Sequence, residues 1–296
     1  MGRIILGVLV LLGFVFTSFD VEADPNIEIT ETDLIPATDE EILNLVPEVS
    51  PEKEISNPTF ELLKNFERVG GNPLAFQQTQ CFLEKYKDKT FLDEADSSGI
   101  KIKNKKFVVI TDVTIPSDRP RLFLLNLETL EVKAFMVAHG LGIPGSEVRL
   151  YEHGKISPKE LPYILLPKLI SNKPGSKATS RGAFILEETY FGNFGYSLRQ
   201  HGLQKKINDN VLKRLVVMHG FKGMNPFSIS SYDADQPPVT EGNLATSQGC
   251  SMLEPSRAKE VIDAAKGGSF YYIFTEHEKH QGSSYCADEN LLVKDQ

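Results

Sequence analysis

Hydrophobic residues in this chain change their spacing twice. Ile4 to Phe16 runs for thirteen residues without a charge. Two later segments carry apolar residues at helical intervals. Asn57-Pro58 opens one bearing Phe60, Leu63 and Phe66, and Asn72-Pro73 opens another bearing Phe76, Phe82 and Tyr86. An Asn side chain can accept a bond from the first free N–H groups of a helix, and Pro fits the first turn, so both read as amphipathic packing helices. From about Lys106 the pattern turns to short runs rich in Val, Ile, Phe and Leu: Phe107 to Val113, Arg121 to Leu127 and Val132 to Ala138, divided by turn residues such as Pro116-Ser117-Asp118. That is the pattern of a β-meander. Further strands are predicted at Gly182 to Leu186, Leu215 to His219 and Ser269 to Phe274, with a helix from about Pro255 to Ala265. The fold class expected is mainly β, with two N-terminal packing helices and one late helix.

Composition narrows the class. A chain of 296 residues, 41% hydrophobic and 24% charged, excludes wholesale disorder, collagen and coiled coil. The formal charge of -8 is unevenly spread: residues 24 to 56 hold ten carboxylates against the single cation Lys53, which leaves residues 57 to 296 near neutrality. Without a clustered positive charge the chain is not expected to bind nucleic acid. Arg3, the apolar run and the small residue Ala23 before Asp24 read as an export signal over residues 1–23. The run is short for a bilayer span of about 20 residues, so no membrane span is expected after cleavage. The acidic stretch 24–56, with Pro25, Pro36, Pro47 and Pro51, reads as a solvated linker. Residues 57–100 form a helical segment, 101–276 a catalytic-sized domain, and 277–296 a tail. Two long connections, from His139 to Ser180 and from Lys222 to Thr246, are candidates for binding walls.

Export implies a compartment that permits disulfides. The chain has three cysteines, Cys81, Cys250 and Cys286, so one is left over if two bridge. Cys81 and Cys286 would tie the tail to the early helices and keep Cys250 from wrong pairing, although sequence alone cannot bring the two thiols together. Cys250 stands in Thr246-Ser247-Gln248-Gly249-Cys250 ahead of a Pro-initiated helix, where small residues let backbone N–H groups approach an oxyanion. A thiol with an ordinary pKa of about 8.5 needs a base or a positive field to act as a nucleophile at neutral pH. His219 closes the apolar run Leu215-Val216-Val217-Met218 beside Gly220 and is the best candidate base. On these features alone, a packed core cysteine and a hydrogen-bonded histidine remain an open alternative.

The arrangement of His219-Gly220, Ser247-Gln248-Gly249-Cys250, a helix and a closing strand resembles the active-site signature of the murein L,D-transpeptidases, in their larger-insertion branch. The resemblance extends over about residues 57 to 275. It takes in Pro116-Ser117, Arg121, His139-Gly140, Ser180-Arg181-Gly182-Ala183-Phe184, the Tyr190 to Gly202 segment, Arg214 and Lys266-Gly267-Gly268. It implies a mixed β-sandwich fold and a cysteine enzyme of peptidoglycan, acting in the periplasm or cell envelope without cofactor or metal. Cys250 would attack the L-centre carbonyl of a stem tetrapeptide, release D-Ala, and pass the acyl group to an amine to make a 3-3 cross-link. Water in place of the amine would make it an L,D-carboxypeptidase. His219 would take the thiol proton, backbone amides around Gly249 and Cys250 would hold the oxyanion, and Ser247 and Gly220 would support the site. Gln248 and Met252 depart from the residues common at those places and, with His139, are candidates to line the substrate groove.

Rival readings are weaker. A papain-type protease places its cysteine before its histidine, the reverse of the order here. His277-Glu278-Lys279-His280 is one residue short of the H-E-x-x-H zinc spacing and reads as part of a solvated tail. A non-catalytic wall-binding protein is the alternative from a different class. Oligomeric state is not legible.

Overall fold

The computed structural model describes residues 57–94, 97–117, 119–140, 142, 166–221 and 247–294. The expected signal and linker and most of the two long connections lie outside these residues. Helices α1 (Pro58–Arg68) and α2 (Pro73–Tyr86) begin where the Asn-Pro pairs stand. Asn57 Oδ1 accepts from the Thr59 N–H and Asn72 Oδ1 from the Leu74 N–H, each at 3.0 Å. The buried stripe of α1 is Leu62 and Phe66, one turn apart, which leaves Phe60 outside it and half exposed; the packing role expected of Phe60 is therefore corrected.

A two-stranded ribbon, β1 (Thr90–Phe91) with β2 (Ile100–Lys101), leads into an eight-stranded sheet. Its strands are β3 (Phe107–Asp112), β4 (Leu122–Asn126), β5 (Val132–Phe135), β6 (Gly182–Gly192), β7 (Gly195–Gly202), β8 (Val217–Gly220), β9 (Ser251–Leu253) and β10 (Ser269–Phe274). The spatial order is β5-β4-β3-β10-β6-β7-β8-β9, antiparallel except for the β3–β10 and β8–β9 pairs. The chain leaving β5 crosses to the far edge: the Ala138 N–H donates to Met252 O at 2.9 Å, and Gly140 pairs with Ser247. The edge strand β9 is thereby covered and the sheet closes in barrel-like fashion, which removes an open edge. The fold is mostly β.

Both sheet faces are clad with apolar residues, which is why several strands read as unbroken hydrophobic runs rather than as alternations. Along β10, Phe270, Tyr272 and Phe274 face the cluster of α1 and α2, where Phe66 and Phe82 are fully buried; Tyr271 and Ile273 face the cluster of α3 (Pro255–Ala265) through Val261 and Ile262. Each such ring contributes about 1.5–3 kcal/mol by leaving water.

The end of the chain is not a solvated tail. Thr275 caps a short helix α4 (Glu276–Lys279) with a reciprocal box, in which the Thr275 N–H donates to Glu278 Oε2 at 3.0 Å. Glu278 is fully buried and pairs with Arg181 at 2.5 Å. Cys286 is joined to Cys81 across 205 residues, and Leu292 N–H donates to Leu203 O at 2.8 Å. The polar composition that suggested a tail instead serves long-range polar contacts. Among the described residues, no helix is long and apolar enough to cross a membrane.

Candidate active site

β8 and β9 run parallel, with Met218 opposite Ser251, His219 opposite Met252 and Gly220 opposite Leu253. One step back, the same register sets Val217 across from Cys250. Side chains alternate along a strand, so Val217 and His219 share a face with Cys250 and Met252, while Met218 and Leu253 turn to the opposite core. The thiol is packed among Ala138, Val217 and Met252 with Tyr190 at the margin. His219 and Cys250 are two residues apart along the strands and one strand apart across them. At about 3.3 Å per residue and about 4.8 Å between strands, their backbones lie roughly 8 Å apart with both side chains on one face.

His219 Nδ1 lies 2.9 Å from Gly220 O. A carbonyl can only accept, so Nδ1 carries the hydrogen and the Nε2 lone pair is left to receive a proton. Phe194, from the turn between β6 and β7, stacks on the imidazole with centroids 4.4 Å apart. Burial pulls the His219 pKa below its ordinary 6.5, against the opposing pull of the Gly220 carbonyl, so the ring rests neutral. Burial raises the Cys250 thiol above 9.0, opposed by the Val217 backbone and the positive charge of Arg214. The resting pair is neutral thiol and neutral imidazole. The S–H lies against Leu215 O at 3.8 Å rather than on His219, so Sγ must turn before the proton can pass. Such looseness is common in sites without substrate.

The turn before Cys250 is held from three sides. Ser247 N–H donates to His139 O at 2.8 Å, and Ser247 Oγ accepts from the Gly249 N–H at 3.0 Å. That second bond corrects one expectation: the Gly249 amide is committed to Ser247 and does not face an incoming oxyanion. Gly249 has φ +117, and a Cβ there would meet Ala178 O at 2.9 Å and Arg214 Nη2 at 3.0 Å, so only glycine fits. The start of α3 is also taken, because the Glu254 carboxylate accepts from the Ser256 and Arg257 N–H groups at 3.1 and 3.0 Å. Gly220 is close-packed as well, with Pro255 Cα 2.8 Å from where its Cβ would stand.

The candidate groove residues separate. Gln248 is exposed, Met252 is packed beside the thiol, and His139 is buried at 2% exposure. His139 Nδ1 lies 2.7 Å from Arg121, a fully buried guanidinium that also donates to Val137 O and Ile115 O. His139 is thus a brace beneath the Ser247 turn and not an open groove wall. His201 lies away from the thiol, 2.9 Å from Asp93 and 2.8 Å from Glu188; burial, which would lower its pKa, is outweighed by these two carboxylates. Among the described residues, no group of three or more His, Cys, Asp or Glu is placed to hold a metal. Sequence reasoning did not single out Phe194 or the Leu215 carbonyl, since an aromatic at a turn and a main-chain oxygen leave no pattern in composition.

The closed, mostly β sheet thus carries the chain's one free thiol and a neutral imidazole on the same face of neighbouring strands. Residues 83–274 match the L,D-transpeptidase catalytic domain, and the chain belongs to that family. No curated protein matches it. Among solved structures, it is similar to an L,D-transpeptidase from Mycobacterium smegmatis at 14% identity and a TM-score of 0.28, over 57% of this chain and 58% of that one. It is similar at 13% identity and a TM-score of 0.25 to an L,D-transpeptidase from Stackebrandtia nassauensis, over 72% of this chain and 75% of that one.

Proposed function

We propose that this is an exported cysteine enzyme of peptidoglycan, an L,D-transpeptidase in which Cys250 is the nucleophile and His219 its base. The observation that carries the reading is the shared face of β8 and β9, which holds Cys250 and a His219 fixed through Nδ1 to Gly220 O, so that Nε2 is the ring nitrogen with the lone pair. His219 Nε2 takes the Cys250 proton as Sγ attacks the carbonyl carbon of a stem-peptide diamino acid. The imidazolium returns that proton to the departing D-Ala nitrogen as the C–N bond breaks, leaving a thioester. An amine of a second stem then attacks the thioester carbon, loses its proton to His219, and releases the thiol. Ser247 holds the turn that presents Cys250, and neither metal nor cofactor enters any step.

The test is mass spectrometry of disaccharide-tetrapeptide muropeptides incubated with residues 24–296 and with the Cys250→Ala variant. A dimer lighter by one D-Ala, formed by the parent and absent with the variant, is expected. Tripeptide and free D-Ala without dimer would make it an L,D-carboxypeptidase. Turnover retained in Cys250→Ala would overturn the assignment.

A further inference from the structure

Among the described residues, Cys250 has little help for a negative charge beyond the Val217 backbone. Its nearest packing partners are Ala138, Val217 and Met252, the Gly249 amide is turned to Ser247, and the N-terminus of α3 is capped by its own Glu254. Among the described residues, one cation acts on it from elsewhere in the chain. Arg214 ends the turn segment before β8. Its Nη1 donates to Ser171 O at 2.9 Å and Ser180 Oγ at 2.7 Å, and its Nη2 to Ala178 O at 2.5 Å. All three acceptors are uncharged, so the guanidinium is fixed by its fork while its charge stays unneutralised by them. The missing Cβ of Gly249 is what admits Nη2 to this position. The next residue, Leu215, holds φ 55, a left-handed conformation that is costly for a branched side chain, and its carbonyl receives the Cys250 S–H. The corner thus places a carbonyl on the thiol and a positive charge beside the neighbouring peptide.

We propose that Arg214 is the positioning cation of the acyl-transfer site: lodged against Gly249, it stabilises the Cys250 thiolate and the negative charge that follows it onto the substrate carbonyl. The proposal rests on the reading of Cys250 as nucleophile. Ordinary protein pKa logic agrees, since the Arg214 charge acts on the thiol against burial. Among the described residues, the other groups on the thiol's face are His219 from β8 and Tyr190 from β6, whose ring is itself covered by Arg199 at 4.8 Å.

The experiment is the rate of Cys250 alkylation by iodoacetamide as a function of pH, on the oxidised full chain, in which Cys250 is the one free thiol. Arg214→Met should lower the rate near neutral pH about tenfold and move the inflection up by about one unit. Arg214→Lys, which keeps the charge but not the fork, should stay within about threefold of the parent even if its Tm falls. A folded Arg214→Met with the parent's inflection would overturn the proposal, leaving Arg214 a brace. If the Met variant does not fold, Arg214→Gln, which keeps a planar donor but not the charge, decides: an inflection raised by about one unit supports the role of charge, and a parent-like inflection refutes it. The assay reads the thiol alone, so a failure of the transpeptidase reading would appear separately, as absent muropeptide products with Arg214 dependence intact.

Discussion

A neutral imidazole is useful to a thiol only while it stays neutral, and the surroundings of His219 decide how far into acid that holds. Its pKa lies below 6.5 because burial disfavours the imidazolium more than the Gly220 carbonyl favours it. The base form therefore persists as pH falls through 6.5 and is lost only below it. For kcat/KM on a muropeptide, the acid limb should inflect below pH 6.5; an acid inflection at or above that value would exclude His219 as the base. The linkage to stability has the same sign. A depressed folded pKa means the unfolded chain binds the proton first, so the contribution of His219 is present above pH 6.5 and fades as pH falls through the folded value. The two residues proposed to react were legible in sequence because they punctuate it: Cys250 is the odd cysteine in a small-residue turn and His219 ends an apolar run. Arg214 entered only through resemblance, since a cation in a turn ordinarily means solvent. Its burial is imposed by Ser171, Ala178 and Ser180, some forty residues earlier in the chain.

Strands announced themselves in proportion to how much apolar surface they bury. β3, β4 and β10 are covered on both faces and read as continuous hydrophobic runs. β7 did not announce itself as a strand from its own pattern. It is Gly-Tyr-Ser-Leu-Arg-Gln-His-Gly, and of its four buried members only Leu198 is apolar, while Ser197, Gln200 and His201 are polar. They are tolerated because each has a partner: Gln200 donates to Ser251 Oγ at 3.2 Å, Ser197 Oγ to Gly195 O at 3.1 Å, and His201 meets two carboxylates. β9, only three residues long, is too short to carry a period, although it holds the thiol's strand in place. The disulfide acts between elements, joining α2 to the segment after α4. In the chain-entropy account, closing 205 residues destabilises the unfolded state by about 5 kcal/mol. Cys81→Ala/Cys286→Ala should therefore lower the unfolding free energy extrapolated from urea melts by most of that amount, with Cys250 alkylation kinetics unchanged in the folded state. An unfolding free energy within about 0.5 kcal/mol of the parent would show that the bridge constrains nothing the fold does not already fix.

At the scale of the whole molecule, residues 276–294 close the structure on the sheet face that carries α1 and α2. Gln78 on α2 donates to Glu278 O and Gly282 O at 2.8 and 2.7 Å, and accepts from the Tyr272 hydroxyl at 2.8 Å. Arg181, at the head of β6, spends its charge on Glu278 and Glu289. Leu292 and Lys294 donate backbone bonds to Leu203 and Thr90, lacing the end of the chain to β1 and to the residue after β7. A chain ending at Thr275 would lose the disulfide, strip two acceptors from a buried amide, and leave a mostly buried guanidinium without either carboxylate. Removing one partner of a buried charge pair costs about 3–5 kcal/mol, which adds to the entropy term of the bridge. Truncation should consequently lower Tm well beyond the double-cysteine variant, by enough to leave the chain largely unfolded at 37 °C in circular dichroism. If the truncated chain instead melts with the double-cysteine variant, the polar lacing contributes nothing and the bridge alone secures the end. Below its own Tm, the truncated chain should still alkylate at Cys250 with the parent's pH profile, because β8, β9 and the Arg214 corner take no hydrogen bond from residues 276–294.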